Sequence, residues 1–206
     1  MIIDKAFEIP TMTSKVVHDY LEEIGGQWTG QGVAMELGCF MGASSAPLLK
    51  GLVKAGYDKE FWAFDRWVAN SQQVEIVREY GIKLKVGDDV FPYYSENIFK
   101  IYMPIFDVPG YIPNSLVNYS GAPIEICIID APKRNPVFSN TIKALYKYWI
   151  PGTTIVGLLD YKWSGGVVRD NIAQFVDANK NSFELIKEWD NECPRFYKYI
   201  KPLRNI

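Results

Sequence analysis

Histidine occurs once in the 206 residues and cysteine three times. Cys39, Cys127 and Cys193 lie far apart and form no CxxC pair, which argues against a disulfide framework or a zinc ribbon and points to reduced thiols. No apolar run approaches the roughly 20 residues needed to span a bilayer. The opening MIIDKAFEIP carries Asp4 and Glu8 and lacks the basic-then-apolar order of a signal peptide. A basic excess is missing too. The formal charge of -2 gives no electrostatic reason to expect nucleic acid, and the small group Lys198, Lys201 and Arg204 reads as a solvated face. Low-complexity tracts and internal repeats are absent. Together these absences lead to the expectation of a soluble, cytoplasmic protein with neither membrane nor nucleic acid as a partner.

What is present is a compact mixture of apolar runs and turn signals. Apolar residues make up 48% of the chain, enough for one core, and residues 1–206 are expected to form a single domain. Its N-terminal segment, 1–30, is read as helical: Val16, Val17, Tyr20, Leu21 and Ile24 fall on one stripe, Thr13 or Ser14 can cap the start, and Gly25-Gly26 stops it. GVAMEL (32–37) is a buried-strand candidate, SSAPLLKGLVKAG (44–56) a helix, FWAFD (61–65) a strand and SQQVEIVREYG (71–81) a helix. Residues 82–123 give a weaker pattern, with an extra helix over PYYSENIFKIY (92–102) and a strand over PIFDV (104–108). IEICIID (124–130) is the clearest strand. A helix from about Val137 to Trp149 is ended by Pro151-Gly152. TTIVGLLD (153–160) is a further strand, and GVVRDNIAQFVDANK is a helix with Val167, Val168, Ile172, Phe175 and Val176 inward. SFELIKEW and RFYKYIK alternate as two final strands able to pair as an antiparallel hairpin. Strands alternating with helices predict an α/β protein with a mostly parallel sheet covered on both faces, and the terminal pair predicts an antiparallel strand near one edge.

Acids recur where these strands end. Glu36, Asp65, Asp130 and Asp160 close four of them, with Asp107 a weaker fifth, and ligands of open α/β sheets bind beyond the carboxyl ends of the strands. In MELGCFMGASS (35–45), Gly38 and Gly42 allow a sharp turn and close approach to a ligand. Ser44 and Ser45 then open a helix whose free N–H groups can take a polar or anionic group. Asp65 stands at the tip of the next strand, where a carboxylate can accept both hydroxyls of a ribose. A dinucleotide fingerprint is not met, because Cys39 and Phe40 follow Gly38 and the next glycine after Gly42 is Gly51.

The acid-x-Gly-x-x-x-Gly pattern of MELGCFMGASS instead resembles motif I of the class I S-adenosylmethionine-dependent methyltransferases, and WAFDRW (62–67) resembles their second motif. PIEICIIDAPKRN, followed by a helix and IPGTTIVGLLDYKW, is similar to the small-molecule O-methyltransferases of the macrocin (TylF-like) and catechol-type groups. The resemblance covers residues 30 to 200. It implies a Rossmann-like three-layer sandwich with a mostly parallel seven-stranded sheet and an antiparallel C-terminal strand. It also implies S-adenosylmethionine as cofactor and a small-molecule acceptor, with a sugar hydroxyl as one candidate; a homodimer stays open. Carried over, Glu36, Gly38 and Gly42 line the methionine and sugar part of the cofactor, with Ser44 at the helix start. Asp65 holds the ribose hydroxyls and Asp107 faces the adenine. Asp130 sits beside the reactive sulfonium, and Lys133 takes the place of a lysine proposed as base in the catechol-type enzymes. Asp130 and Lys133 are thus the two candidates for catalysis.

The sequence departs from that pattern in its metal ligands. Metal-dependent relatives pair the counterpart of Asp130 with two adjacent acid or amide ligands, and here that pair is Leu159-Asp160. A site of Asp130 and Asp160 alone is short of the six oxygens that magnesium takes, so a divalent metal is doubtful. The one histidine, His18, is expected half-exposed and non-catalytic. The segment 82–123 is longer than cofactor binding needs and is read either as packing on the sheet edge or as an acceptor-side insertion; Trp67, Tyr161 and Trp163 could join an acceptor wall or cap the core. Two other readings remain: a catalytically silent module that keeps the fold, and a nicotinamide-dependent oxidoreductase, for which Tyr197-x-x-x-Lys201 lies in a predicted strand away from the switch point.

Overall fold

A computed structural model describes residues 9–99, 101, 103–163 and 167–204. Asp4 and Glu8 of the opening stretch lie outside the described residues, as do the side chains of Val167 and Val168. Seven strands form one sheet: β1 (Val33–Leu37), β2 (Phe61–Asp65), β3 (Ile105–Pro109), β4 (Ile124–Ile129), β5 (Ile155–Leu158), β6 (Phe183–Glu188) and β7 (Arg195–Tyr199). Their order is β3-β2-β1-β4-β5-β7-β6. β3, β2, β1, β4 and β5 run parallel, whereas β7 is antiparallel to both β5 and β6. The final hairpin has β7 inside and β6 at the edge, and the absence of a crossover helix between the two strands requires them to be antiparallel.

Period-two alternation sorts β1 between two cores. Ala34 joins a cluster with α1 (Lys15–Gly26), α2 (Ser45–Lys54), α3 (Ser71–Glu79) and α4 (Phe91–Ile98), to which Val17, Leu49, Val77 and Tyr94 contribute. Met35 and Leu37 face the other cluster, with Phe138 and Ile142 of α5 (Val137–Leu145) and Ile172 of α6 (Val167–Ala178). The result is the expected three-layer sandwich. The sheet reverses direction between β1 and β4: the chain builds outward from β1 to β3, then crosses back to lay β4 on the other side. That reversal opens a crevice at the carboxyl ends of β1, β2 and β4.

Several local expectations change. α1 does end at Gly26, as expected, but its glycines have a second role. A Cβ on Gly25 would lie 2.4 Å from the Leu48 carbonyl oxygen, and one on Gly51 would lie 2.0 Å from that of Glu22. These glycines let α1 and α2 touch backbone to backbone. Val16 is exposed rather than inward, and His18 is buried at 1% exposure. The Ser14 side chain makes no capping bond. The helix from Val137 ends at Leu145 and tightens into a short 3-10 turn at Tyr146–Tyr148. No helix among the described residues is long and apolar enough to cross a membrane. Cys39, Cys127 and Cys193 are free thiols.

Candidate active site

The turn after β1 is held from below and from the side. Glu36 points into the α1/α2 core with 0% exposure, and the hydroxyls of Ser44 (2.5 Å) and Ser45 both donate to its carboxylate. Burial pushes the Glu36 carboxyl up to about 7, against the pull of those two donors. Gly38 and Gly42 have φ of +97° and +90°, the left-handed region that favours glycine. A Cβ on Gly38 would lie 2.8 Å from the backbone nitrogen of Ala131, and one on Gly42 would lie 2.9 Å from the Ile98 side chain. Gly38 thus lets the β1 turn lie against the tip of β4, while Gly42 lets it tuck under α4.

Asp65 ends β2 and ties two unusual backbone positions together. Phe40 and Trp67 have φ of +48° and +47° without being glycine, a conformation that persists only when its surroundings over-determine it. The Phe40 N–H donates to Asp65 Oδ2 at 2.9 Å and the Trp67 N–H to Oδ1 at 2.7 Å. The Trp67 indole N–H closes the ring by donating to the Phe40 carbonyl at 3.1 Å. Each Asp65 oxygen accepts one of these backbone bonds, and a carboxylate offers about four lone-pair sites. Capacity is left for a ligand's hydroxyls.

Beyond the strand tips lies a cavity of about 430 Å³, within the range of about 300–1,000 Å³ typical of small-molecule and cofactor sites. Gly38, Asp65, Asp130 and Lys133 all line it. Glu36, Gly42, Ser44, Asp107 and Asp160 do not; the first three brace the turn from beneath. Asp107 lies mid-strand in β3, paired with Ala63, which pairs in turn with Glu36. The structure also brings in residues that sequence patterning did not single out, among them Phe40, Arg66, Tyr111 and Arg134. Arg66 and Arg134 neighbour the acids and the lysine in sequence, which was the available signal; Tyr111 falls within the segment 82–123 read as a possible acceptor-side insertion. Trp163 lines the cavity, whereas Trp67 and Tyr161 are buried in the two cores. His18 and Tyr197 are not part of its wall.

On the β4–β5 side, Asp130 and Asp160 face Lys133. The ammonium reaches both oxygens of Asp160 at 2.9 Å and lies 5.2 Å from the centre of the Trp163 ring, within cation–π range. Burial raises the Asp130 carboxyl strongly; the adjacent Asp160 raises it further and Lys133 opposes the rise. Asp160 is raised for the same first reason, burial, again against Lys133. This donor set does not fit a divalent metal. Leu159 belongs to the apolar core, Asp160 is engaged by an ammonium, and no group of three or more His, Cys, Asp or Glu among the described residues is placed to hold an ion.

The strand order, the crevice at its reversal and the acids around it define a Rossmann-like fold of the methyltransferase type. Solved structures share it. TomG, the O-methyltransferase from Streptomyces achromogenes involved in tomaymycin synthesis, solved in complex with SAM, is 14% identical over 97% of this chain and 90% of its own, with a TM-score of 0.63. The O-methyltransferase NovP is 16% identical over 91% of this chain and 79% of its own, with a TM-score of 0.61. CalS11, a TDP-rhamnose 3'-O-methyltransferase of calicheamicin biosynthesis, is 15% identical over 89% of this chain and 77% of its own, with a TM-score of 0.53. No family model matches the chain, and no curated protein does. At such identities the likeness establishes the fold.

Proposed function

We propose that the protein transfers a methyl group from S-adenosylmethionine to an oxygen of a small molecule. The observation that carries this reading is the convergence of Gly38, Asp65, Asp130 and Lys133 on one cavity at the carboxyl ends of β1, β2 and β4. When bound, the cofactor supplies an electrophilic methyl group on a sulfonium. The free lone pairs of Asp65 suit the ribose hydroxyls, and Gly38 places the β1 turn against the tip of β4, at the wall of the same cavity. Glu36, Gly42 and Ser44 act at one remove by holding the turn. The role expected for Asp107 at the adenine has only its place on β3, near the same end of the sheet, in support. The acceptor's oxygen attacks the methyl carbon as the carbon–sulfur bond breaks, and its proton needs an acceptor. Asp130, at the cavity wall with its proton affinity raised by burial, fits that task. Lys133 can donate an N–H to the same oxygen. Residues 82–123 contribute the acceptor side through Gly110, Tyr111 and Ile112. The naming of CalS11 as a sugar methyltransferase makes a sugar hydroxyl a first acceptor to try. Three free thiols and a charge of -2 suit a cytoplasmic enzyme of small molecules.

Calorimetry tests the cofactor. S-adenosylhomocysteine is expected to bind and NAD is not, and Asp65→Ala should weaken the binding by about 1.5–3 kcal/mol, the scale of hydrogen bonds to a charged group. NAD binding without any response to S-adenosylhomocysteine would overturn the reading.

A further inference from the structure

Lys133 is engaged in a way that a proton-accepting lysine is not. An ammonium has three N–H donors and no acceptor. The two Asp160 oxygens engage at most two of those donors, so one remains for an oxygen in the cavity. The head group is held on two sides, by Asp160 through two contacts of 2.9 Å and by the Trp163 ring 5.2 Å away, with Asp130 near enough to feel its charge. The Lys133 side chain retains 31% exposure while Asp160 retains 11%, so the lysine opens onto the cavity and its counter-ion lies behind it.

We propose that the Lys133 ammonium is the built-in cation of this site, holding beside Asp130 and Asp160 the place that a divalent ion would need, so that the acceptor oxygen meets an N–H donor instead of a metal. The inference rests on the methyltransferase reading for its chemistry, yet its test does not depend on turnover. Lys133 pairs with Asp160 and stands between that carboxylate and the ligand, while Asp130 keeps its own place on the cavity wall. Asp130 is left to receive the acceptor's proton, so the two catalytic candidates have separate tasks: Lys133 polarises and Asp130 accepts.

Mn²⁺ is the probe, followed by the loss of its free-ion EPR signal on titration with purified protein, with S-adenosylhomocysteine calorimetry on the same samples. Wild type should leave the Mn²⁺ signal free. Lys133→Ala exposes two neighbouring carboxylates and should bind Mn²⁺ about tenfold or more tightly than wild type. Lys133→Arg keeps a cation in place and should again exclude the ion, and adding Asp160→Asn to Lys133→Ala should abolish the new site. Uptake of Mn²⁺ by wild type that is lost in Asp160→Asn would overturn the proposal. So would a Lys133→Ala variant that still binds S-adenosylhomocysteine but takes up no more Mn²⁺ than wild type. Failure of S-adenosylhomocysteine to bind wild type would instead count against the methyltransferase reading, whatever the Mn²⁺ result.

Discussion

Glu125 and Asp130 stand at opposite ends of β4, five residues apart, and their surroundings treat them in opposite ways. Glu125 is 3% exposed and its carboxylate accepts three backbone N–H groups, from Thr29 at 2.5 Å, Gln31 at 2.8 Å and Gly32 at 3.0 Å. The chain is wrapped around it, and it anchors the turn that leads into β1. Asp130 has no such cradle. Its own N–H is spent on the Leu37 carbonyl at 2.8 Å, and its carboxyl meets a second acid, Asp160, and a lysine across a cavity. A buried acid surrounded by donors is a structural post; one surrounded by another acid and a cation is held ready to exchange a proton. Glu36 lies between these extremes, with two serine donors yet enough burial to bring its carboxyl near neutrality.

Removing each acid in turn puts the contrast at risk. Asp130→Asn should reduce methyl transfer, followed as S-adenosylhomocysteine release over a panel of sugars, phenols and acids, by about 100- to 10,000-fold. It should leave urea-unfolding stability nearly unchanged, because asparagine keeps the shape of a carboxyl whose burial already favours its neutral form. Unfolding of this variant would make Asp130 a structural post like Glu125. Glu125→Ala should do the reverse. Three backbone donors lose a charged partner, and unfolding should become easier by about 3–5 kcal/mol, the cost of removing one side of a buried charged interaction. Affinity for S-adenosylhomocysteine should hold wherever the variant is folded. A stability loss no larger than that of an exposed substitution would remove the distinction between the two ends of the strand.

Glu36 refines the contrast with a smaller effect. The folded protein keeps the Glu36 proton up to about pH 7, while the unfolded chain releases it near the ordinary 4.5. Between those values the native state binds more protons than the unfolded state, so stability falls as pH rises through the window and levels off above it. The fall attributable to this one residue is about 3 kcal/mol. Glu36→Gln cannot titrate and should lose less stability than wild type between about pH 5 and about pH 8, measured by urea unfolding at each pH. Parallel pH profiles for the two proteins would show that Glu36 is already ionised in the fold.

Much of the fold is legible in the amino-acid sequence. FWAFD forms β2 without a residue's change, and IEICII, apolar apart from Glu125, forms β4, because a strand buried on both faces needs no polar side. The strand-end acids point to the correct end of the sheet. What patterning misses has a common cause. His18 and Val16 exchange their expected burial because positions two apart on a helix point about 200° apart, and only the seat of α1 on α2 decides which of them faces in. Gly25 reads only as part of a helix stop in one dimension and proves in three to be a contact surface as well. Gly42 reads as room for a ligand, whereas its missing Cβ makes room for Ile98.

Local periodicity and turn chemistry suffice for the alternation of elements, the parallel sheet with its terminal hairpin, and the set of acids at the strand tips. They do not say which of those acids does chemistry; packing between distant segments does. Glu36, Asp65, Asp130 and Asp160 are alike as strand-end carboxylates, yet Glu36 is closed off by two serines, Asp65 ties two strained backbone positions at the cavity wall, Asp130 lines the same cavity next to another acid, and Asp160 is held by Lys133 from 27 residues away. The proton affinity of a carboxyl depends on the donors, charges and water within a few ångströms of it, and those neighbours come from distant parts of the chain.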